Sequence, residues 1–172
     1  MRTSKGFTLV ELIAVMVIMS LLAGVVLIKA QTPLNSARMR DVVDQIVGFD
    51  RLTRSFAVEQ NKPVHLVMDL AGGELRRTDP DETEVYGEPF VLPRGCRLAR
   101  LLLGGEEIEI GSTAISFSRA GMSASYGLLV EGPGGRQQWL VVPGLTGLAV
   151  EVEDEHEARD ILDAGGQRPD SH

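Results

Sequence analysis

The chain has 172 residues, enough for one domain of ordinary size and too few for a second catalytic domain beside it. Its 17 Lys and Arg stand against 24 Asp and Glu, a formal net charge of -7, which disfavours a phosphate backbone as partner unless the bases cluster. Cys96 is the single cysteine, so an internal disulfide and a cysteine-based zinc cage are both excluded.

The first element runs from Phe7 to Ile28, FTLVELIAVMVIMSLLAGVVLI, 22 residues in which Glu11 is the one ionisable side chain, bounded by Lys5 and Lys29. A hydrocarbon core of about 30 Å takes roughly 20 helical residues, so the run has the length of a transmembrane helix. It exceeds the apolar region of a cleaved secretory signal, about 7 to 15 residues, and the continuation Lys29-Ala30-Gln31-Thr32-Pro33 offers no Ala-x-Ala site. Arg2 and Lys5 form a short basic leader, and the positive-inside rule then leaves the N-terminus in the cytoplasm and sends the chain after Lys29 outward. Glu11 is the anomaly. A carboxylate inside an apolar helix costs a few kcal/mol by insertion scales and calls for a partner that offsets the charge.

The stretch Lys5-Gly6-Phe7-Thr8-Leu9-Val10-Glu11 resembles the prepilin processing motif of type IV pilins and type II secretion pseudopilins. The resemblance implies that a membrane-embedded prepilin peptidase cuts after Gly6 and methylates the new N-terminus at Phe7. Glu11 becomes the fifth mature residue, and the resemblance supplies its partner: the N-terminal amine of a neighbouring subunit inside a filament. Gly6 suits its role, because extended backbone without a side chain approaches a protease site closely. Losing one member of a buried ion pair leaves an uncompensated charge, so such a pair serves as a register device in assembly.

Past Pro33, which is expected to kink or briefly interrupt the helix, Met39, Val42, Val43, Ile46, Phe49, Leu52, Phe56 and Ala57 recur at three- and four-residue intervals. Arg38, Arg40, Asp41, Asp44, Asp50, Arg51 and Arg54 lie largely between them, on the polar side of an amphipathic helix. Asn61-Lys62-Pro63 ends this amphipathic helix, so a helix from Phe7 to about Gln60 is roughly 80 Å long. From Val64 the pattern changes to period two, with Val64, Leu66, Met68 and Leu70 alternating with His65, Val67 and Asp69, and Ala71-Gly72-Gly73 forms a turn. The further strands predicted are 74–78, 97–103, 106–110, 114–118, 127–131, 137–142 and 148–152. Gly104-Gly105, Ala120-Gly121, Gly132-Pro133-Gly134-Gly135 and Pro143-Gly144 separate them, which fits an antiparallel sheet. Residues 79–84 read as a solvated acidic loop without the ligand order of a calcium hand. The predicted fold class is α+β: a long N-terminal helix, transmembrane in its first half and amphipathic in its second, packed on antiparallel β-sheets. The expected divisions are a leader at 1–6, a membrane helix at 7–29, an amphipathic continuation at 30–62, a periplasmic β-rich domain at 63–153 and an acidic tail at 154–172, either a short helix or frayed.

A second resemblance, to the GspH/FimT group of minor pseudopilins and minor pilins, rests on three stretches: 51–64, Arg51-Leu52-Thr53-Arg54 onward to Val64, as the helix exit into the first strand; 115–123 as a strand and turn; and 146–150, Thr146-Gly147-Leu148-Ala149-Val150, as the closing strand. It implies a pilin-like fold and, as partners, prepilin peptidase, other major and minor pseudopilins, the inner-membrane secretion assembly platform and the membrane. Some FimT-like pilins bind DNA through a basic patch. Here loss of Arg2 and Lys5 with the leader takes the 17 bases to 15 against 24 acids, and nucleic acid is not expected even though Arg94, Arg97, Arg100 and Arg119 fall in one region. His65, His156 and His172 stand in no catalytic or metal-ligand spacing, and Cys96 has no evident partner. No enzymatic activity, cofactor or metal site is expected. The expected function is that of a type II secretion minor pseudopilin anchored in the bacterial inner membrane; the alternatives are a FimT/FimU-like minor pilin of a type IV pilus or DNA-uptake system and a single-span anchored binding domain.

Overall fold

The structure is a computed structural model that describes residues 9–166; for residues 23–34 and 165–166 it describes the backbone alone. By its internal contacts the chain divides into two units, Met1–Ala37 and Arg38–His172. Helix α1 (Leu9–Gln60) runs through both, and its backbone stays helical past Pro33, so the interruption the sequence predicts there is absent. A proline costs the helix one hydrogen bond and crowds one upstream carbonyl, a local penalty that a long helix with many intact bonds tolerates.

In the first unit, Leu9, Val10, Leu12, Ile13, Val15, Met16, Val17, Ile18, Met19, Leu21 and Leu22 are all exposed. These residues lie on every side of the helix, so no polar face exists along this stretch. Ser20 is accommodated locally by donating its hydroxyl to the Met16 carbonyl at 2.8 Å. Among the described residues no helix is long and apolar enough to cross a membrane.

In the second unit the remainder of α1 buries Met39, Val42, Val43, Ile46, Phe49 and Ala57, the three- and four-residue recurrence of a stripe facing a core. Leu52, expected on that stripe, is exposed, whereas Asp50 and Thr53 take the interior positions. Thr53 satisfies its hydroxyl by donating to the Phe49 carbonyl at 2.8 Å. Two antiparallel sheets receive this stripe. The first has the order β3-β2-β1-β6, from β1 (Val64–Asp69), β2 (Glu74–Thr78), β3 (Phe90–Val91) and β6 (Ser112–Phe117). The second has the order β5-β4-β7-β8-β9, from β4 (Arg97–Leu103), β5 (Glu106–Ile108), β7 (Tyr126–Gly132), β8 (Arg136–Val142) and β9 (Val150–Val152).

Alternation along the second sheet decides what covers each face. Tyr126, Leu128, Val130, Leu140 and Val142 join the main core with α1, while Leu129, Trp139 and Val141 point the other way into a second cluster with Leu102 and Val152. In β4 the register shifts between Leu98 and Arg100, and this bulge lets Leu98 and Leu101, three apart, share the main core. The second cluster is closed by helix α2 (Glu155–Gly166) through Ala158, Ile161 and Leu162. The stretch expected as an acidic tail is therefore, from Glu155 to Gly166, a helix with a buried seam. Its first turn is capped by Asp154, whose carboxylate accepts from the Glu157 amide at 2.8 Å. The outer end of the seam is close-fitted: a Cβ on Gly127 would stand 3.2 Å from the Leu162 methyl.

Candidate functional site

Of the residues expected to carry function, Gly6 and Phe7 lie outside the described residues. Glu11 lies near the start of the described part of α1. It is exposed, with exposed Val10, Leu12 and Val15 around it. The structure thus displays one acid on an otherwise apolar helical surface.

A second constellation escaped the sequence pattern. Asp50 and Arg54, expected on the solvent side of α1, are buried as an ion pair: Arg54 Nε donates to Asp50 Oδ2 at 2.7 Å, and their side chains keep 12% and 2% of their surface exposed. Tyr126 at the start of β7 donates its hydroxyl to Asp50 Oδ1 at 2.9 Å. Burial, reinforced by the Asp50 carboxylate, pushes the Tyr126 phenol well above its ordinary range. The Arg54 guanidinium spends its other hydrogens on two loops. Nη1 donates to the Gly121 carbonyl at 2.9 Å and the Gly144 carbonyl at 2.8 Å, and Nη2 donates to Ser123 Oγ at 3.0 Å. Its face lies 4.9 Å from the centre of the Phe117 ring.

The three stretches that carry the second resemblance meet at this guanidinium: the helix exit supplies Arg54, the strand and turn supply Phe117, Gly121 and Ser123, and the segment 146–150 supplies Gly147. Gly147 has φ +64°, and a Cβ there would stand 2.6 Å from Arg54 Nε. That geometry corrects the predicted strand at 148–152. Thr146 to Ala149 is a loop wrapped on Arg54, with Leu148 exposed, and pairing begins only at Val150. Gly144 is equally constrained, because a Cβ on it would overlap the Ser123 carbonyl oxygen.

His65 faces Ser116 across the β1–β6 ladder, with Nε2 2.9 Å from the serine hydroxyl. Cys96 lies on the wall of a surface cavity of about 360 Å³ beside Arg38, Val42, Pro93 and Pro133. Burial pushes its thiol up, against a smaller opposing pull from Arg38, which is the reverse of an activated thiolate. Asp79 is turned into its own loop, accepting from the Thr83 hydroxyl at 2.8 Å and the Glu84 amide at 2.7 Å, and the amide bond above all holds its carboxyl below the usual range. Among the described residues no group of His, Cys, Asp and Glu is placed to hold a metal ion.

Of the four bases grouped by sequence, Arg97 and Arg100 are held in ion pairs. Arg97 bonds Glu131 through Nε at 3.0 Å. Arg100 reaches Glu107, Glu109 and Glu155 at 2.9, 3.2 and 2.7 Å, and Arg159 of α2 bonds Glu107 and Glu155, both at 2.7 Å. Arg97 and Arg100 therefore supply no open patch for a phosphate backbone.

Residues 1–27 match the prokaryotic N-terminal methylation motif. Among solved structures, the minor pseudopilin EpsH from the Type 2 Secretion System of Vibrio cholerae is similar in fold, with a TM-score of 0.54 at 12% identity, over 69% of this chain and 98% of that one. A comparison with curated proteins gives no match. The chain joins this methylation motif to an α+β fold similar to that of a minor pseudopilin.

Proposed function

We propose that this chain is a minor pseudopilin of a type II secretion system, of the GspH kind, with no catalytic activity of its own. Prepilin peptidase cuts it after Gly6 and methylates Phe7. Residues 7–29 hold it in the inner membrane with the leader cytoplasmic and the globular unit in the periplasm, until it is drawn into a short pseudopilus. The observation that carries this reading is the presence, in one chain, of the N-terminal methylation motif and a fold similar to a minor pseudopilin. The surface of α1 from Leu9 to Leu22, apolar on every side apart from Glu11 and the backbone-bonded Ser20, supports it, since such a surface suits lipid or a bundle of like helices. Glu11 then pairs with the methylated amine of a neighbouring subunit, which offsets the cost of placing its charge there.

Mass spectrometry of the N-terminus of full-chain protein purified from a host with the peptidase tests the reading. The expected product begins at methylated Phe7, and Gly6→Leu leaves the leader attached. A protein that keeps residues 1–6 while supporting secretion overturns it. The ion pairs of Arg97 and Arg100 favour a secretion role over a DNA-uptake one.

A further inference from the structure

The cavity beside Cys96 lies at the Arg38 end of the second unit, and its volume of about 360 Å³ falls within the range of small-ligand sites. Val42, Pro93 and Pro133 give it apolar walls, and it is lined by two guanidiniums, Arg38 and Arg94, against one carboxylate, Asp41. Unlike Arg97 and Arg100, both lining arginines are exposed without an ion pair or hydrogen bond among the described residues. The turn after β7 borders the same place: a Cβ on Gly132 would stand 2.8 Å from Met39 Sδ. Arg136, opposite Gly132 in the β7–β8 ladder, adds a third exposed and unpaired base. A chain with 24 acids to 17 bases thus gathers three unpaired arginines around one apolar-walled cavity.

Arg38 follows Lys29 by nine residues, and a chain of that length reaches at most about 30 Å whatever its path. While the apolar run 7–29 is held in a bilayer, the cavity therefore stays near the headgroups, and the tether makes docking on them an intramolecular event. An anionic phospholipid matches the lining in both its parts. Its phosphate oxygens accept from two guanidiniums, and its glycerol and first acyl carbons suit the walls at Val42, Pro93 and Pro133. A free phosphate leaves those walls unused, and a duplex needs a longer track of bases than the paired Arg97 and Arg100 leave open.

We infer that the cavity between Arg38 and Arg94 seats the headgroup of an anionic phospholipid from the membrane that anchors the chain, and so holds the globular unit at the bilayer surface before assembly. The inference rests on the membrane-anchored stage of the pseudopilin reading.

Cys96, the single cysteine, lies on the cavity wall, so its rate of alkylation by an uncharged maleimide reports whether the cavity is filled. The test compares full chain reconstituted in vesicles of phosphatidylcholine with the same chain in phosphatidylcholine containing phosphatidylglycerol. Phosphatidylglycerol should slow the alkylation about tenfold, the share of two surface bases partly offset by Asp41. Arg38→Gln with Arg94→Gln should abolish the slowing, whereas Arg51→Gln with Arg119→Gln, exposed bases that do not line the cavity, should leave it intact. Equal rates in the two vesicles, slowing that survives loss of Arg38 and Arg94, or slowing lost equally without Arg51 and Arg119 overturns the inference. So does equal protection in phosphatidylcholine vesicles by inorganic phosphate or by duplex DNA, which makes the occupant a free anion or a nucleic acid. Flotation with the phosphatidylcholine vesicles and the N-terminal mass of protein from a host with the peptidase separate the two claims. A chain that floats and begins at methylated Phe7 yet shows equal rates sinks the lipid site alone; a chain that keeps its leader or does not float sinks the anchored reading and the inference with it.

Discussion

Arg54 and Asp50 stand one turn apart on α1, 2.7 Å between Nε and Oδ2, and together they tie the helix to the Gly121 and Gly144 loops and to Tyr126. The chain uses a buried charge pair where its helical stripe would otherwise place two more apolar residues. Breaking such a pair from one side is the costly change, because the partner remains buried and uncompensated. Arg54→Ala is expected to destabilise the fold by about 3 to 5 kcal/mol, while the double change Asp50→Leu, Arg54→Leu costs less than the sum of the two single changes. Urea unfolding followed by the emission of Trp139, the single tryptophan, measures all three.

Gly147 and Gly104 separate clash from backbone strain. Both have positive φ, +64° and +60°, but a Cβ on Gly104 meets open space whereas one on Gly147 meets Arg54. Gly104→Ala should cost about 1 to 2 kcal/mol, the left-handed penalty alone. Gly147→Ala should cost more and release the Leu148 loop, seen as faster amide exchange at residues 145–149 but not at 103–106. Equal costs at the two positions would contradict the seat described for Arg54.

Tyr126 links stability to pH with a definite sign. Its folded phenol holds the proton well above the ordinary pKa of 10, so above that pH the unfolded chain loses a proton that the folded chain keeps. The contribution is present in full below pH 10 and is lost as pH rises toward the elevated folded value. Tyr126→Phe should lower stability at pH 7 by about 1 to 3 kcal/mol, since Asp50 loses a donor. The variant should also show a shallower fall in stability above pH 10 than the parent, in paired denaturation curves.

Ala158 is fully buried against the second sheet, beside Trp139. Ala158→Asp places a carboxylate in that seam and should unseat α2, shifting Trp139 emission to longer wavelength while the main core of α1 and both sheets persists by circular dichroism. An unchanged emission maximum would mean that α2 does not shield the tryptophan.

Glu11→Leu should leave insertion and cleavage intact, with methylated Phe7 found by mass spectrometry, and impair co-purification with other pilin-type subunits. Retained co-purification would count against pairing between Glu11 and a neighbour's amine.

Much of this architecture was legible because it rests on local signals. Residues 74–78 and 97–103 are strands within the bounds their alternation predicts, and the glycine turns fall between strands. What was not legible depends on partners remote in sequence. Asp50 and Arg54 look like solvent-facing charges until Gly121, Ser123 and Gly144 supply acceptors from far along the chain. Thr146 to Ala149 has strand composition, yet the positive φ of Gly147 and the seat of Arg54 hold it as a loop. Phe90–Val91 is too short to show periodicity and owes its pairing to Glu74 and Leu75. Val67, expected on the face opposite Leu66 and Met68, is buried as well.

The first sheet is closed by a strand out of order: β1 pairs with β6, Val64 opposite Phe117, while β4 and β5 between them belong to the other sheet. A chain emerging N-terminus first must therefore hold α1 and its first hairpin incomplete until β6 arrives, so folding is nonlocal and late. Until then the stripe from Met39 to Ala57 is uncovered, and the period between synthesis and closure is when this protein is most open to proteolysis and to misassociation.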